Sequence, residues 1–498
     1  MRTRRSLSRV LGASTCLFIV TQSASAFAVD VTVRPKNLQQ TITGFGASSA
    51  WTAPDMRSDS DADLLFTRDN GIGLTLLRVR IAPPGSPPPA GSCTTAEVTT
   101  AQQASARGAT VWATPWSPPP FWKSNGSLDY GGSLLAANAD DWANCLAGFV
   151  AYMESPSVGV PIAFLSAQNE PTVGTVNYES CVYTPAQLAD FIGNHLAPAL
   201  TRAGLTTPIM APETQGWGNG QMTSFTEAIL ATPAAASAVG VFATHSYSGA
   251  PGPLPLPSGK NLWETEWYDQ ATPADPGMVD AITTANRIHA DLVDGNVSAW
   301  SYWWIYPASP DNGGLFDQAS GAPAKRLYAL GNFSRFILPG YSRVLATTNA
   351  PNPGISASAY VDPASSQVVI VAINGNTTAT SQNFLFDSVA TGSWTSYVTS
   401  ATENSVSAGN PVASGANPSA LTVSLEPQSV TTLVGAITGP GPVIPQQETL
   451  LNPPATDAGA CACSEVRGKG DPRPLGFAAG AGLVLTWIGR RRRRARRP

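Results

Sequence analysis

Two glutamates with distinctive neighbours stand out in this chain. Glu170 sits in Phe164-Leu-Ser-Ala-Gln-Asn-Glu-Pro171, and Glu266 sits in Leu262-Trp-Glu-Thr-Glu-Trp267. Each closes a short apolar run that reads as a buried parallel strand. A carboxylate at such an end is costly to desolvate unless it has partners or a task. Two of them, one beside an asparagine and both among tryptophans, suit the hydrolysis of a sugar bond. One carboxyl group protonates the leaving oxygen while a second, about 5–5.5 Å away, attacks the anomeric carbon.

On this reading Glu170 is the acid/base and Glu266 the nucleophile. Asn169 is placed to bond a sugar 2-hydroxyl, and Pro171 fixes the chain as it leaves the strand. Strand alternation predicts that Glu264 points to the same barrel face as Glu266, one layer deeper, which makes it the alternative nucleophile. Arg78 and Tyr247 are partners able to keep Glu266 ionised, although an arginine in that position also serves as a structural barrel ion pair. His245 reads equally as a positioning donor or a satisfied core histidine. Trp116, Trp303 and Trp304 offer flat apolar faces to sugar C–H surfaces, though tryptophans also fill cores and the chain has 13 of them.

These groups need a scaffold that brings eight chain segments to one rim. Between Thr41 and Ile305 lie eight short apolar runs separated by helix-length segments: Thr41–Ala47, Leu74–Ile81, Thr110–Pro115, Ala163–Gln168, Thr207–Pro212, Gly240–His245, Asn261–Glu266 and Val297–Ile305. Helices are predicted over Ala139–Met153 and Pro185–Ala203. Strands alternating with helices predict a parallel sheet, and eight repeats predict an α/β fold, a closed (β/α)8 barrel. Chemistry then belongs at the C-terminal strand ends, which carry Trp51, Arg78 with Arg80, Trp116, Asn169-Glu170, Glu213, His245 with Tyr247, Glu266, and Trp303-Trp304. After Phe336 the pattern changes to period-two strands such as Val368–Ile373, read as a side antiparallel β-sandwich. The expected organisation is a signal segment 1–28, an N-terminal strand of the sandwich 29–40, the barrel 41–336, the sandwich 337–436, a Pro/Gly-rich linker 437–460 and a tail 461–498.

The ends carry their own signals. Arg2, Arg4, Arg5 and Arg9 precede an apolar run from Val10 to Val20 and small-residue sites Ala24-Ser-Ala26 or Ala26-Phe-Ala28, which predicts a secretory leader. Cys461-Ala-Cys463 precedes the apolar stretch Leu475–Gly489 and the run Arg490–Arg494. An arginine block after an apolar stretch marks a cytoplasmic stop, whereas a basic nucleic-acid-binding tail leaves the apolar stretch unexplained. Without the 4 basic residues of the leader and the 10 basic and 2 acidic residues from Cys461 onward, 15 cations face 31 anions, so the body is near −16. Such a body is a poor partner for nucleic acid or anionic membrane and is compatible with a neutral polysaccharide. Cys93, Cys145 and Cys181 remain in it: one pair bridges and one stays odd, and which pair is open. No Cys/His spacing suggests a metal site, and no cofactor or partner subunit is implied, so the expected state is a monomer.

Several segments together resemble glycoside hydrolase family 30. They are Gln40-Thr-Ile-Thr-Gly-Phe-Gly-Ala47, Leu76-Leu-Arg-Val-Arg-Ile81, Thr114-Pro-Trp-Ser-Pro-Pro119 with Trp122-Lys-Ser-Asn125, Gln168-Asn-Glu-Pro171, Leu262-Trp-Glu-Thr-Glu266, and Tyr328-Ala-Leu-Gly-Asn-Phe-Ser-Arg-Phe336. The resemblance runs from about Val31 to Val434. It implies a barrel with a side sandwich built from both ends of the chain, retaining hydrolysis by Glu170 and Glu266, and a pocket around the scissile bond formed by Arg78, Trp116, Asn169, Tyr247 and Trp303. Tyr178-Glu-Ser-Cys181 and Gly331–Tyr341 look most like the xylanase branch. Glucuronoxylan-specific members read the glucuronate with basic residues after strand eight, but Ile305-Tyr-Pro-Ala-Ser-Pro-Asp311 has none. The expectation is therefore an endo-β-1,4-xylanase indifferent to glucuronate. A β-1,6-galactanase or glucanase and a glucosylceramidase-like enzyme are the enzymatic alternatives, and a non-catalytic carbohydrate-binding surface protein the other class. The C-terminus resembles the Cys-containing, Arg-ended sorting tails of myxobacterial surface proteins, which implies membrane contact through the tail before processing and display.

Overall fold

The computed structural model of the chain describes residues 30–445, apart from 88–90, 349–351 and 414. The expected leader, the tail 461–498 with its cysteines and arginines, and most of the linker lie outside the described residues.

Strand β1 (Asp30–Thr41) stands outside the barrel. It is followed by β2 (Gly44–Ser48), β3 (Leu76–Ile81), β4 (Thr110–Pro115), β5 (Ile162–Ser166), β6 (Ile209–Thr214), β7 (Val239–Thr244), β8 (Asn261–Glu264) and β9 (Ala299–Trp304). These eight pair in parallel in sequence order, and β9 returns to β2 to close the barrel. Closure explains a glycine in the first motif. A Cβ on Gly46 would lie 2.7 Å from the Leu76 carbonyl oxygen and 3.0 Å from Ser301 Oγ, so only glycine lets β2 sit between β3 and β9. Alternation sends Leu76, Trp112, Phe164, Met210, Val241, Trp263 and Ala299 into one interior cluster, while Leu77, Val79, Leu165 and Leu262 join the core between strands and helices.

Two helices start where the chain supplies side-chain caps. Ser58 accepts from the Asp61 amide at 3.1 Å ahead of a first turn holding Asp59 and Asp61. Thr184 and Gln187 form a capping box with Pro185 at the first helical position. The helix that Pro185 opens runs to Arg202, as expected to within a residue, but widens to a π segment at Phe191–Leu196. Pro198 follows directly, and with no N–H to return to the preceding turn it disturbs the regular ladder there.

The remaining strands, β10 (Ser342–Thr348), β11 (Ile355–Val361), β12 (Gln367–Asn374), β13 (Thr380–Phe386), β14 (Val389–Thr391), β15 (Trp394–Thr399), β16 (Asn410–Val412), β17 (Ala420–Leu425) and β18 (Ser429–Pro440), join β1 in one ten-stranded sheet. Phe384, Phe386, Leu421 and Leu425 near one edge share a buried cluster with Val368, Ile370 and Leu433 near the other, so the sheet folds over as a sandwich. It is mostly antiparallel: β1 runs antiparallel to β10 but parallel to β13, an exception to the expected all-antiparallel pairing. The strands also run past the expected limit at 436. β18 extends to Pro440, paired there with the short β14, and Ile444 bonds Asp387 and Arg34. Gly439 and Pro440 read as linker in the sequence, yet both are tolerated where only a three-residue edge strand faces them.

The Tyr328–Phe336 motif joins the two bodies. Asn332 donates to the Tyr397 carbonyl at 3.1 Å and to Thr432 Oγ1 at 3.0 Å, and Ser405 Oγ donates to the Tyr328 carbonyl at 2.7 Å. The cysteine pairing that the sequence left open is Cys93–Cys145, tying the segment after β3 to the helix Ala139–Glu154, and Cys181 is buried and free.

Candidate active site

At the C-terminal rim of the barrel three carboxylates, one arginine and one histidine share a buried cluster. Arg78, inward on β3 and 0% exposed, organises it. One guanidinium nitrogen pairs with Glu266 Oε2. The other donates to Asn169 Oδ1 and to Glu213 Oε1, each at 2.7 Å, and Nε reaches Thr114 Oγ1 at 3.3 Å. The guanidinium also lies 4.4 Å from the centroid of the Trp116 ring. Glu266 Oε1 accepts from Tyr247 Oη at 3.0 Å. Glu170 Oε1 is 3.1 Å from His245 Nδ1, and Glu170 Oε2 accepts from Tyr178 Oη. Glu170 and Glu266 are only 3% and 6% exposed. A single oxygen of Glu170, a ring nitrogen of His245 and an oxygen of Glu266 all lie within 4.8 Å of one another.

The electrostatics follow from burial and charge balance. Burial lifts the Glu266 carboxyl above the usual glutamate range, and the charges of His245 and Arg78 only partly offset it. Burial also opposes charge on His245, but Glu266 and the bonds to Glu170 and Glu213 outweigh it and raise the imidazole to about 10. Glu213, fully buried, is likewise penalised by burial, yet Arg78 and His245 hold it below the ordinary range. The Tyr178 and Tyr247 phenols are pushed upward by burial and by the neighbouring carboxylates, so both remain donors. Glu170, His245 and Glu266 have the spacing to hold a cation, but Arg78 and the imidazolium already supply positive charge there.

The sequence-predicted residues mostly converge, with two corrections. First, Glu264 does not share the inner face with Glu266. β8 ends at Glu264, which alternation sends with Leu262 toward the helices. There burial and the charge of Asp291 raise its carboxyl. Its oxygens accept from the Glu266 and Ser301 amides at 2.9 and 3.1 Å, so it anchors the backbone under Glu266. Second, Trp116 and Trp303 are 1% and 8% exposed and form a packed wall, leaving little free ring face. Trp304 stacks on Trp303 at 4.6 Å. The open ring is Trp51, 38% exposed and 4.7 Å from Trp116. His245, open in the sequence between a positioning donor and a satisfied core histidine, faces three carboxylates.

Glu213 and Tyr178 join the site without a role assigned by the sequence pattern. Glu213 was visible as an acid ending the fifth run, but alternation points it outward with Ala211. A register shift between Pro212 and Thr214 and a left-handed φ of 57° turn it inward. Glu170 and Trp51 have φ of 43° and 60°, so Glu213 shares its uncommon backbone with other non-glycine residues of this rim. A separate cavity of about 550 Å³ beside the Cys93–Cys145 bridge carries none of these groups.

Comparison with known proteins agrees with this geometry. Residues 95–265 match the glycosyl hydrolase family 30 TIM-barrel domain. Glucuronoxylanase XynC of Bacillus subtilis is 29% identical over 423 residues, covering 82% of this chain and 92% of that protein. The family 30 subfamily 8 xylanase Xyn30A of Clostridium acetobutylicum superposes with a TM-score of 0.70 at 35% identity, over 82% of this chain and 99% of that one. A GH30 endoxylanase of Clostridium papyrosolvens C71 gives 0.66 at 32%, over 82% and 100%. A closed eight-stranded barrel with a side β-domain, a carboxylate-lined rim and this extent of likeness together make the chain a member of glycoside hydrolase family 30, an enzyme that hydrolyses O-glycosidic bonds.

Proposed function

We propose that this protein is a retaining endo-β-1,4-xylanase, with Glu170 as acid/base and Glu266 as nucleophile. The observation that carries the reading is the pair's separation. One oxygen from each carboxyl lies within 4.8 Å of the other, a closeness that suits the direct attack of a retaining enzyme. Arg78 and Tyr247 favour the ionised form of Glu266 and aim it. Asn169, fixed by Arg78, is the group for the sugar 2-hydroxyl, and Trp51 with the wall of Trp116, Trp303 and Trp304 shapes the rim. Xylan is favoured because the relatives that combine 29–35% identity with 82% coverage of this chain are named glucuronoxylanase or xylanase.

Glucuronate is read as dispensable. The loop after Trp304 has no basic residue. Lys325 is occupied by the Glu403 carbonyl and Asn404, Arg326 by Asp280, and Arg80 by Glu179. Arg57 does reach this loop, 3.9 Å over the Tyr306 ring, but the same tyrosine holds Asp61 at 2.7 Å. Undecorated xylan should therefore be cut about as well as glucuronoxylan. A panel of these two with β-1,6-galactan, β-1,6-glucan and an aryl glucoside, read by product sizing, checks it. Cleavage of glucuronoxylan alone overturns the independence and points to Arg57. Cleavage of β-1,6-polymers alone, or of the glucoside alone, overturns xylan.

The export leader and sorting tail are further parts of this reading. A chain ending after residue 445 keeps β18 whole and should retain full specific activity. Loss of activity in that protein, with its circular dichroism unchanged, means the tail is misread.

A further inference from the structure

Five of the nine exposed large apolar side chains among the described residues stand on rim loops: Trp51 after β2, Phe121, Tyr130 and Leu135 after β4, and Val176 after β5. Tyr130 is the most exposed of the five, at 66%. Its backbone has φ of 65°, a region that suits glycine or asparagine and not a bulky residue. The segment around it is nonetheless rigidly braced. Asn125 Nδ2 donates to the Asp129 and Gly131 carbonyls at 3.0 and 3.2 Å. Lys123 Nζ, buried, donates to the Leu128 carbonyl at 3.0 Å and across to the Ser180 carbonyl at 2.6 Å. The Gly131 amide donates to Ser180 Oγ at 2.9 Å, and the Tyr130 amide to the Thr175 carbonyl at 2.6 Å. A ring this exposed adds little to packing, so the bracing and the uncommon backbone serve its presentation.

The loop that receives these bonds is the one that leaves Glu170. Thr175 lies five residues beyond Glu170, and Tyr178 of the same loop bonds the Glu170 carboxyl. The acid/base protonates the oxygen of the departing chain, so the departing, or aglycone, half of the substrate lies on this side.

We propose that Tyr130 is the platform of a distal aglycone subsite, taking the C–H face of a β-linked xylose unit in the leaving chain. This rests on the xylanase reading above. A flat ring suits xylose, which has no exocyclic hydroxymethyl group to hold it off the surface.

The test pairs a long probe with a short one. Tyr130→Asn removes the ring with a residue at ease in left-handed backbone, and Tyr130→Trp keeps an aromatic face. kcat/KM is measured on xylohexaose and on 4-nitrophenyl β-xylobioside, whose aglycone is too short to reach the subsite. The asparagine variant should lose roughly three- to tenfold on xylohexaose, the scale of one ring contact, and nothing on the aryl xylobioside, and tryptophan should restore the long-probe rate. Equal loss on both probes, or no loss on either, overturns the subsite alone and leaves the xylanase reading standing. A wild-type enzyme that cuts neither probe overturns both.

Discussion

Glu266→Gln is expected to lower turnover on the order of 10⁴-fold or more while leaving the fold intact. The amide keeps the size and the Tyr247 contact but offers no carboxylate to attack the anomeric carbon. It also leaves Arg78 with Glu213 as its one remaining carboxylate partner, so circular dichroism and thermal unfolding should change little beside the loss of rate. Glu170→Gln should behave differently. It should slow substrates with poor leaving groups most, spare aryl glycosides with acidic phenols, and respond to azide, which attacks the glycosyl-enzyme without needing a general base. NMR of the first product should show retained β configuration. An active Glu266→Gln enzyme, or an inverted first product, would show that these two carboxylates do not divide the work as proposed.

Arg78→Ala should be the most damaging change that removes no carboxylate. Arg78 is wholly buried and holds Glu213, Glu266 and Asn169 together. Deleting it leaves two buried acids with only the His245 imidazolium to offset them, a loss of about 3–5 kcal/mol in stability, and disorders the attacking group, lowering kcat/KM by about 10²–10³-fold. The pH profile gives a more specific sign. Burial already raises the Glu266 carboxyl above the ordinary range, and Arg78 is one of the two charges that oppose this rise. A nucleophile must be ionised, so activity is lost as pH falls through its pKa, and in the wild type that acid limb should lie above the pH expected of an ordinary glutamate. Without Arg78 the pKa climbs further, so the limb should move to higher pH. Arg78→Lys, which keeps the charge but loses the planar fork, should fold well and shift the limb less. Adding Glu213→Gln to Arg78→Ala should recover stability, because one unpaired acid is gone, but not activity. An acid limb that stays in place in both Arg78 variants would mean Arg78 is a structural tie with no influence on the attacking carboxylate.

Much of this protein was determined by the sequence alone. The alternation of short apolar runs with helix-length segments specified a closed barrel, because β-strands that bury both faces and helices that bury one leave distinct periods. The eight run ends named the rim, and Arg78, Asn169, Glu170, His245, Tyr247 and Glu266 all meet there. What the sequence could not specify lies where the chain stops being regular. Alternation predicts facing only while the backbone stays extended. Glu213 turns inward through a register shift and a left-handed residue, and Glu266 reaches the rim only because β8 ends two residues before it. Its neighbour Glu264 meanwhile faces the helices. Exposure is also a property of the assembled rim. Trp116 and Trp51 are alike as strand-end tryptophans, yet packing against Arg78 and Trp303 buries the first and leaves the second open. The same holds for partners distant in sequence. That Cys93 meets Cys145 and not Cys181, that β1 runs parallel to β13, and that Tyr178 bonds Glu170 each depend on how helices and loops stack around the barrel, because residue spacing limits how far a chain can reach without selecting what it meets.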